Sequence, residues 1–315
     1  MKRKAIIFGI KGTKLSSLEK EFLRLANPWG IILFSRNIKD LFQLKILISS
    51  IKNIFKDKNY PILIDQEGGT VSRLNKIIDL SHFSQSYFGK IYKKDKSNFI
   101  FYYKIYIEKV CDILKSVGIN INTVPVLDVR RKISEKIVGE RSFSNDPIIV
   151  SKLGNLCVEI HKTKKIATVI KHIPGHGLAM LDSHYELPII KGRKNELINK
   201  DFKAFKKNNS IFAMTAHVIY SAYDSLNTAT HSKIMINNVI RKHIGFNGVL
   251  ISDDICMKAL KHGLINNATK ALNAGCNLIL HCNGNFKEMS KLAKVIPTFD
   301  KFTEKKTSHF YKFLG

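Results

Sequence analysis

Eight short apolar runs rich in β-branched residues recur along the chain, at residues 5–10, 30–34, 61–64, 121–129, 166–173, 211–218, 248–255 and 276–281. Each is continuous rather than alternating, as expected of strands buried on both faces of a parallel sheet. Between the runs the period changes to that of a helix. Leu41, Leu44, Ile48, Ile51 and Phe55 share one stripe of residues 41–55, and residues 101–114, 148–160, 234–244 and 286–296 behave alike. Residues 15–23 open on a cap-forming serine with a glutamate in the first turn, and 201–205 is a weaker helical segment. The Gly245-Phe-Asn-Gly248 stretch reads as a helix stop followed by a strand start. Residues 79–96 are polar with Phe83, Tyr87, Phe88 and Tyr92 interspersed, and read as a long insertion or loop helix.

Strands alternating with helices over 315 residues predict an α/β fold, a (β/α)8 barrel of the TIM type, with one domain covering residues 1–315. A doubly wound open sheet is the competing arrangement, but no GxGxxG follows the first run to support a dinucleotide fold. Apolar residues make up 44% of the chain, enough for a real core. The net charge of +27 stands out. Its lysines are spread from Lys2 to Lys312 without a basic motif interleaved with aromatics. The charge therefore reads as scattered over solvated faces, at most drawing in an acidic substrate, and a nucleic-acid partner is not expected. Five cysteines with no CxxC pair argue against a disulfide framework and for a reducing compartment. The basic and apolar N-terminus is too short for a signal peptide, and no stretch has the length of a membrane span. The expectation is a cytoplasmic protein with no membrane partner.

Reactive residues cluster where the apolar runs stop. The second run ends in Ser35-Arg36-Asn37, the third in Asp65-Gln-Glu-Gly-Gly69 and the fourth in Asp128-Val-Arg130. The fifth ends in Lys171-His172, the sixth in His217, the seventh in Ser252-Asp253-Asp254 and the eighth in His281-Cys282-Asn283. In a barrel these ends meet at the carboxyl-terminal face, where such enzymes keep their active sites. The densest stretch, Lys171 to His184, holds three histidines and one aspartate, with Pro174, Gly175 and Gly177 excluding a continuous helix. Two chemistries fit it. His172, His176, His184 and Asp182 could ligate zinc. Alternatively Asp182 fixes the tautomer of His184, leaving the other ring nitrogen to exchange a proton near neutral pH.

Several motifs occur together and in fixed order: Asp65-Gln-Glu-Gly-Gly, Pro125-Val-Leu-Asp-Val, Gly139-Glu-Arg-Ser-Phe, Lys171-His-Ile-Pro-Gly-His-Gly, Asp182-Ser-His, Ala216-His217 and Ile251-Ser-Asp-Asp-Ile-Cys-Met. With Asn27-Pro-Trp-Gly-Ile-Ile-Leu-Phe-Ser-Arg-Asn they make the chain resemble the bacterial β-N-acetylglucosaminidases of glycoside hydrolase family 3, over roughly residues 1 to 300. The resemblance is to single-domain members that remove N-acetylglucosamine from muropeptides in cell-wall recycling. It implies a retaining exo-glycosidase in which Asp253 is the nucleophile, where most retaining enzymes pair it with a second carboxylic acid. In this group His184, paired with Asp182, is implied as the acid and base. Asp65, Arg141, Lys171 and His172 are implied to hold the hydroxyls of the terminal sugar, with Arg73 beside them.

The implied enzyme needs no metal and no organic cofactor, acts as a monomer, and takes a small saccharide or muropeptide containing N-acetylglucosamine. The chain departs from the family pattern at Gly177-Leu178-Ala179, Thr70, Ser72 and Glu140, which bears on loop conformation and aglycone preference. Asp254 is read as a structural acid. Two alternatives remain: a metal-dependent hydrolase on the same barrel, and phosphorolysis in place of hydrolysis, since a neutral histidine repels phosphate less than a carboxylate would.

Overall fold

The computed structural model describes residues 3–135, 137–183 and 185–315. Among them, eight parallel strands close a barrel, each near one of the apolar runs. They are β1 (Lys4–Gly9), β2 (Pro28–Leu33), β3 (Ile62–Ile64), β4 (Ile121–Asn122), β5 (Ala167–Ile173), β7 (Phe212–Thr215), β10 (Val249–Asp254) and β11 (Leu278–His281). Neighbours pair in that order, and β11 returns to pair with β1 through Ile6 opposite Ile279 and Phe8 opposite His281. Residues of both faces are buried in β1, β2, β5 and β7, because the barrel interior takes one face and the surrounding helices the other. The chain forms the expected (β/α)8 barrel.

The helical readings are matched with small shifts. The helix α1 (Ser17–Ala26) starts on a full capping box, in which Ser16 and Glu19 cap each other's backbone N–H groups. The next, α2 (Leu41–Phe55), buries Leu44, Leu47, Ile48 and Ile51. Leu41 is a correction to the predicted stripe, lying 40% exposed at the first turn, outside the wall of the barrel. The segment 79–96 contains α3 (Gln85–Lys94), which packs with α4 (Lys96–Val117) through Phe88 and Tyr103, ring centroids 4.7 Å apart. Later come α5 (Pro147–Thr163), α6 (Lys194–Asn199), α7 (Leu264–Ala274), α8 (Phe286–Val295) and α9 (Lys301–Leu314). Residues Met235–Ile244 are wound as a π-helix and end on Gly245 in the left-handed conformation that glycine allows without strain. Among the described residues no helix is long and apolar enough to cross a membrane.

The fourth strand is the main departure from the reading of 121–129. Only Ile121 and Asn122 pair regularly with β3 and β5. Pro125 has no N–H to donate, so the ladder breaks there. It resumes as a short bridge, with Lys171 N donating to the Pro125 carbonyl and Leu127 N to the Lys171 carbonyl.

A small sheet outside the barrel had no counterpart in the apolar pattern. It joins β6 (Ile189–Ile190), β8 (Ile219–Tyr220) and β9 (Asp224–Thr228). Its Tyr220 is fully buried, pairs across the sheet with Ile190, and donates its hydroxyl to the Gly175 carbonyl at 2.5 Å.

Candidate active site

The carboxyl ends of the strands surround a cavity of about 320 Å³. Asp65, Arg73, Thr123, Arg141, Lys171, His172, Met214, Asp253 and Asp254 line it together with Met257 and Cys282. A wider groove of about 720 Å³ lies between α1 and α2 on the outer wall, but its charged lining is confined to Lys20 and Lys45. The barrel-mouth cavity is the one that combines carboxylates, cations and an imidazole.

Its floor is an ion network. Lys171, at the end of β5, is 2% exposed and directs its ammonium to Asp65, to Glu67 Oε1 at 2.6 Å and to Thr123 Oγ1 at 3.2 Å. Two of these contacts, to Asp65 and Thr123, are hydrogen bonds, and the third is an ion pair with Glu67. Asp65 accepts further from Arg73 Nη2 at 2.7 Å and Thr123 Oγ1 at 2.6 Å. Glu67 takes a bidentate pair from Arg141, Nε and Nη2 each at 2.8 Å. Burial alone would raise both carboxyls, but Lys171 with Arg73 at Asp65, and Arg141 with Lys171 at Glu67, hold them below the usual carboxylate range.

Behind this network Asp128 organises the histidine stretch. Its Oδ2 meets His172 Nδ1 at 2.7 Å, and its Oδ1 accepts the backbone N–H groups of His172 at 3.2 Å and His176 at 2.7 Å. Burial opposes ionisation of Asp128, yet His172 and these donors bring its pKa to about 2. The Asp128 contact fixes His172 in orientation with Nε2 left over. Glu67, Asp128 and Thr123 were not assigned by the sequence reading. The first two lie inside quoted motifs, and for Asp128 the available signal was a charged residue in an otherwise apolar motif.

The two acids of β10 differ in their surroundings. The register of β10 against β11 shifts between Ile251 and Asp254, a local irregularity of the kind that re-aims side chains at strand ends. Asp254 Oδ1 is held by the backbone N–H groups of Cys256 and Cys282, each at 3.2 Å, and its carbonyl oxygen meets His217 Nε2 at 3.0 Å. Burial raises the Asp254 carboxyl, and the neighbouring Asp253 adds to this. Burial also lowers His217, keeping the ring neutral, with Thr230 Oγ1 on its Nδ1 at 2.7 Å.

His184 lies outside the described residues. Asp182 is half-buried, and its carbonyl accepts from the backbone of Tyr185 and Glu186, both at 3.0 Å. The next residue, Ser183, receives Ala259 N on its carbonyl at 3.3 Å, tying this loop to the turn that follows Asp253. The zinc set considered for this stretch includes His184. Among the described residues, metal-ligand spacing occurs elsewhere, at Cys256, His281 and Glu288.

Three buried histidines set a pH response. Burial brings His161, His176 and His231 each to about 4, from an ordinary value of 6.5. Between those values the unfolded chain binds protons that the folded chain does not, so stability rises with pH. Thermal unfolding midpoints are expected to fall steadily as pH drops from 6.5 to 4. Replacing His161 by glutamine should flatten that slope, and an unchanged midpoint across the window would contradict the assignment.

A parallel barrel with a sugar-sized cavity of paired carboxylates and cations at its carboxyl-terminal mouth defines a hydrolase-type site of the (β/α)8 class. Residues 7–308 match the glycosyl hydrolase family 3 N-terminal domain, and the chain belongs to that family. It is 33% identical to a β-hexosaminidase of Hydrogenovibrio crunogenus over 88% of this chain and 78% of that protein. A β-hexosaminidase of Haemophilus influenzae is 32% identical, over 89% and 79% of the two chains. NagZ from Neisseria gonorrhoeae, solved in complex with N-trifluoroacetyl-D-glucosamine, superposes with a TM-score of 0.88 at 28% identity, covering 98% of this chain and 90% of that one. The chain is a glycosidase of the β-hexosaminidase class.

Proposed function

We propose that the protein is a retaining exo-β-N-acetylglucosaminidase that removes terminal N-acetylglucosamine from peptidoglycan-derived muropeptides in the cytoplasm, acting as a monomeric single-domain enzyme. The observation that carries the reading is the position of Asp253, at the end of β10 in the same cavity as Asp65, Arg73, Arg141 and His172. In its first step the Asp253 carboxylate attacks the anomeric carbon and forms a glycosyl ester, while the aglycone oxygen leaves with a proton from His184. Water then gives that histidine a proton and displaces Asp253, so the anomeric configuration is kept. Asp182 orients the imidazole.

The other groups bind. Asp65 and Arg73 offer acceptor and donor to sugar hydroxyls, and Arg141 and His172 contribute to the same cavity. Lys171, hydrogen-bonded to Asp65 and Thr123 and ion-paired with Glu67, acts chiefly by fixing the two carboxylates. An N-acylated glucosamine is favoured because the NagZ relative was solved with N-trifluoroacetyl-D-glucosamine.

Purified protein is expected to release nitrophenol from 4-nitrophenyl N-acetyl-β-D-glucosaminide, undiminished by EDTA. Release from the corresponding β-D-glucoside should be far slower. Cleavage of the glucoside alone would overturn the substrate assignment, and loss of activity in EDTA would revive the metal-dependent reading.

A further inference from the structure

We propose that Cys256, His281 and Glu288 form a binding site for a thiophilic divalent cation of the zinc class, outside the saccharide cavity. Cys256 lies on the turn after β10, His281 closes β11, and Glu288 sits in the first turn of α8. None of the three lines the cavity.

Their donor atoms converge. His281 Nε2 is 3.0 Å and Cys256 Sγ 3.7 Å from Glu288 Oε2, and all three ligand atoms lie within 4.8 Å of one another. A tetrahedral zinc ion with ordinary bond lengths places its ligands about 3.3 to 3.8 Å apart. Thiolate, imidazole and carboxylate in one shell suit zinc or cobalt and leave a fourth position for water. Small adjustments from the present geometry reach that arrangement.

Two further features bear on it. His281 is fully buried and its Nδ1 has no hydrogen-bond partner among the described residues. The ring is held through Nε2 by Glu288; an ion on Nε2 places the ring proton on Nδ1, a buried donor without an acceptor there, and the metal bond has to outweigh that loss. The group now bridging the cluster is the Asn283 amide, 2.6 Å from Glu288 Oε2 and 3.5 Å from Cys256 Sγ. Asn283 is exposed and can swing out as the ion enters. Cys256 N and the N–H of Cys282, which follows His281, both donate to Asp254 Oδ1. A bound ion would cross-link the ends of β10 and β11 beside Asp254.

Cobalt(II) titration of the full chain, with a non-thiol reductant, tests the site. One equivalent should bind with a thiolate-to-cobalt charge-transfer band and a raised melting temperature. The band should disappear in Cys256→Ser and persist in Asp253→Asn, whose change lies in the cavity. In Glu288→Gln affinity should weaken by at least about tenfold, a loss that even the partners of metal ligands can cause. Circular dichroism confirms that each variant is folded, and Glu288→Gln decides the matter if Cys256→Ser is not. Absence of the band, its survival in Cys256→Ser, its loss in Asp253→Asn, or unaltered affinity in Glu288→Gln would overturn the proposal.

Discussion

Replacing Asp253 by alanine is expected to lower kcat for the nitrophenyl glucosaminide by at least about 10⁴-fold, the scale of losing a covalent nucleophile, without loss of stability. The second half of that expectation comes from Asp254. Its buried carboxyl is raised partly by the charge of Asp253, so removing Asp253 relieves a repulsion. Against that gain, the backbone N–H of Asp254 loses its acceptor, Asp253 Oδ1 at 2.8 Å, so the melting temperature should stay about level. Asp254→Ala should lower it, because two backbone N–H groups would lose their acceptor at the ends of β10 and β11. A small anion such as azide, filling the space left in Asp253→Ala, should restore turnover and give a product of inverted configuration, because one displacement replaces two. A folded Asp253→Ala protein with near-normal turnover would eliminate Asp253 as nucleophile. A folded, inactive protein that azide does not rescue would leave the covalent step without support.

Lys171→Met should have the largest effect on stability. It removes the cation shared by Asp65 and Glu67 and leaves two like charges buried side by side. Breaking a buried ion pair from one side costs about 3–5 kcal/mol, which a guanidinium titration would read as a large drop in midpoint. Asp65 and Glu67 are now held below their ordinary values, so their contribution is present above the usual carboxylate range and lost as pH falls through their lowered values. Without Lys171 those values rise, and the gap between variant and wild type should narrow in acid. Adding Asp65→Asn to Lys171→Met should recover part of the loss, because the repulsion between the two carboxylates, each still paired with one arginine, is gone. Arg73 then faces an uncharged amide, but its side chain is 26% exposed and water can serve it. Equal midpoints for Lys171→Met and wild type would mean that water or backbone dipoles, rather than Lys171, compensate the carboxylates.

The barrel was legible because strands buried on both sides carry unbroken apolar runs, and each run lies at or beside a barrel strand. Polar residues at the ends of those runs pointed to the right face of the barrel. What the pattern missed has physical causes. The run at 121–129 looks like one strand because Pro125 is as apolar as its neighbours, and only its missing N–H interrupts the ladder. The outer sheet escaped notice because Asp224–Thr228 carries little apolar signal and β6 and β8 are two residues each. The helices α7 and α9 were passed over: α7 is rich in alanine and asparagine, and α9 alternates lysine with aromatic residues. In the site, the partners of Lys171 come from the segment just after β3 and from the residue after β4. No spacing along one segment could announce that contact.

Tyr220 has a consequence for how this enzyme can change over generations. Its hydroxyl holds the chain at Gly175 and its backbone pairs at Ile190, so both ends of the intervening loop are pinned by one residue. A loop closed in this way tolerates added length cheaply, since each doubling costs only about 0.6 kcal/mol of closure entropy. Asp182 lies between those anchors, so on the proposed mechanism a change there that keeps its place could alter the aglycone side while leaving the strand ends where they are. The departures at Leu178 and Ala179 fall within this stretch. The barrel carries the fold, and the stretch pinned by Tyr220 can change in length at little cost to it.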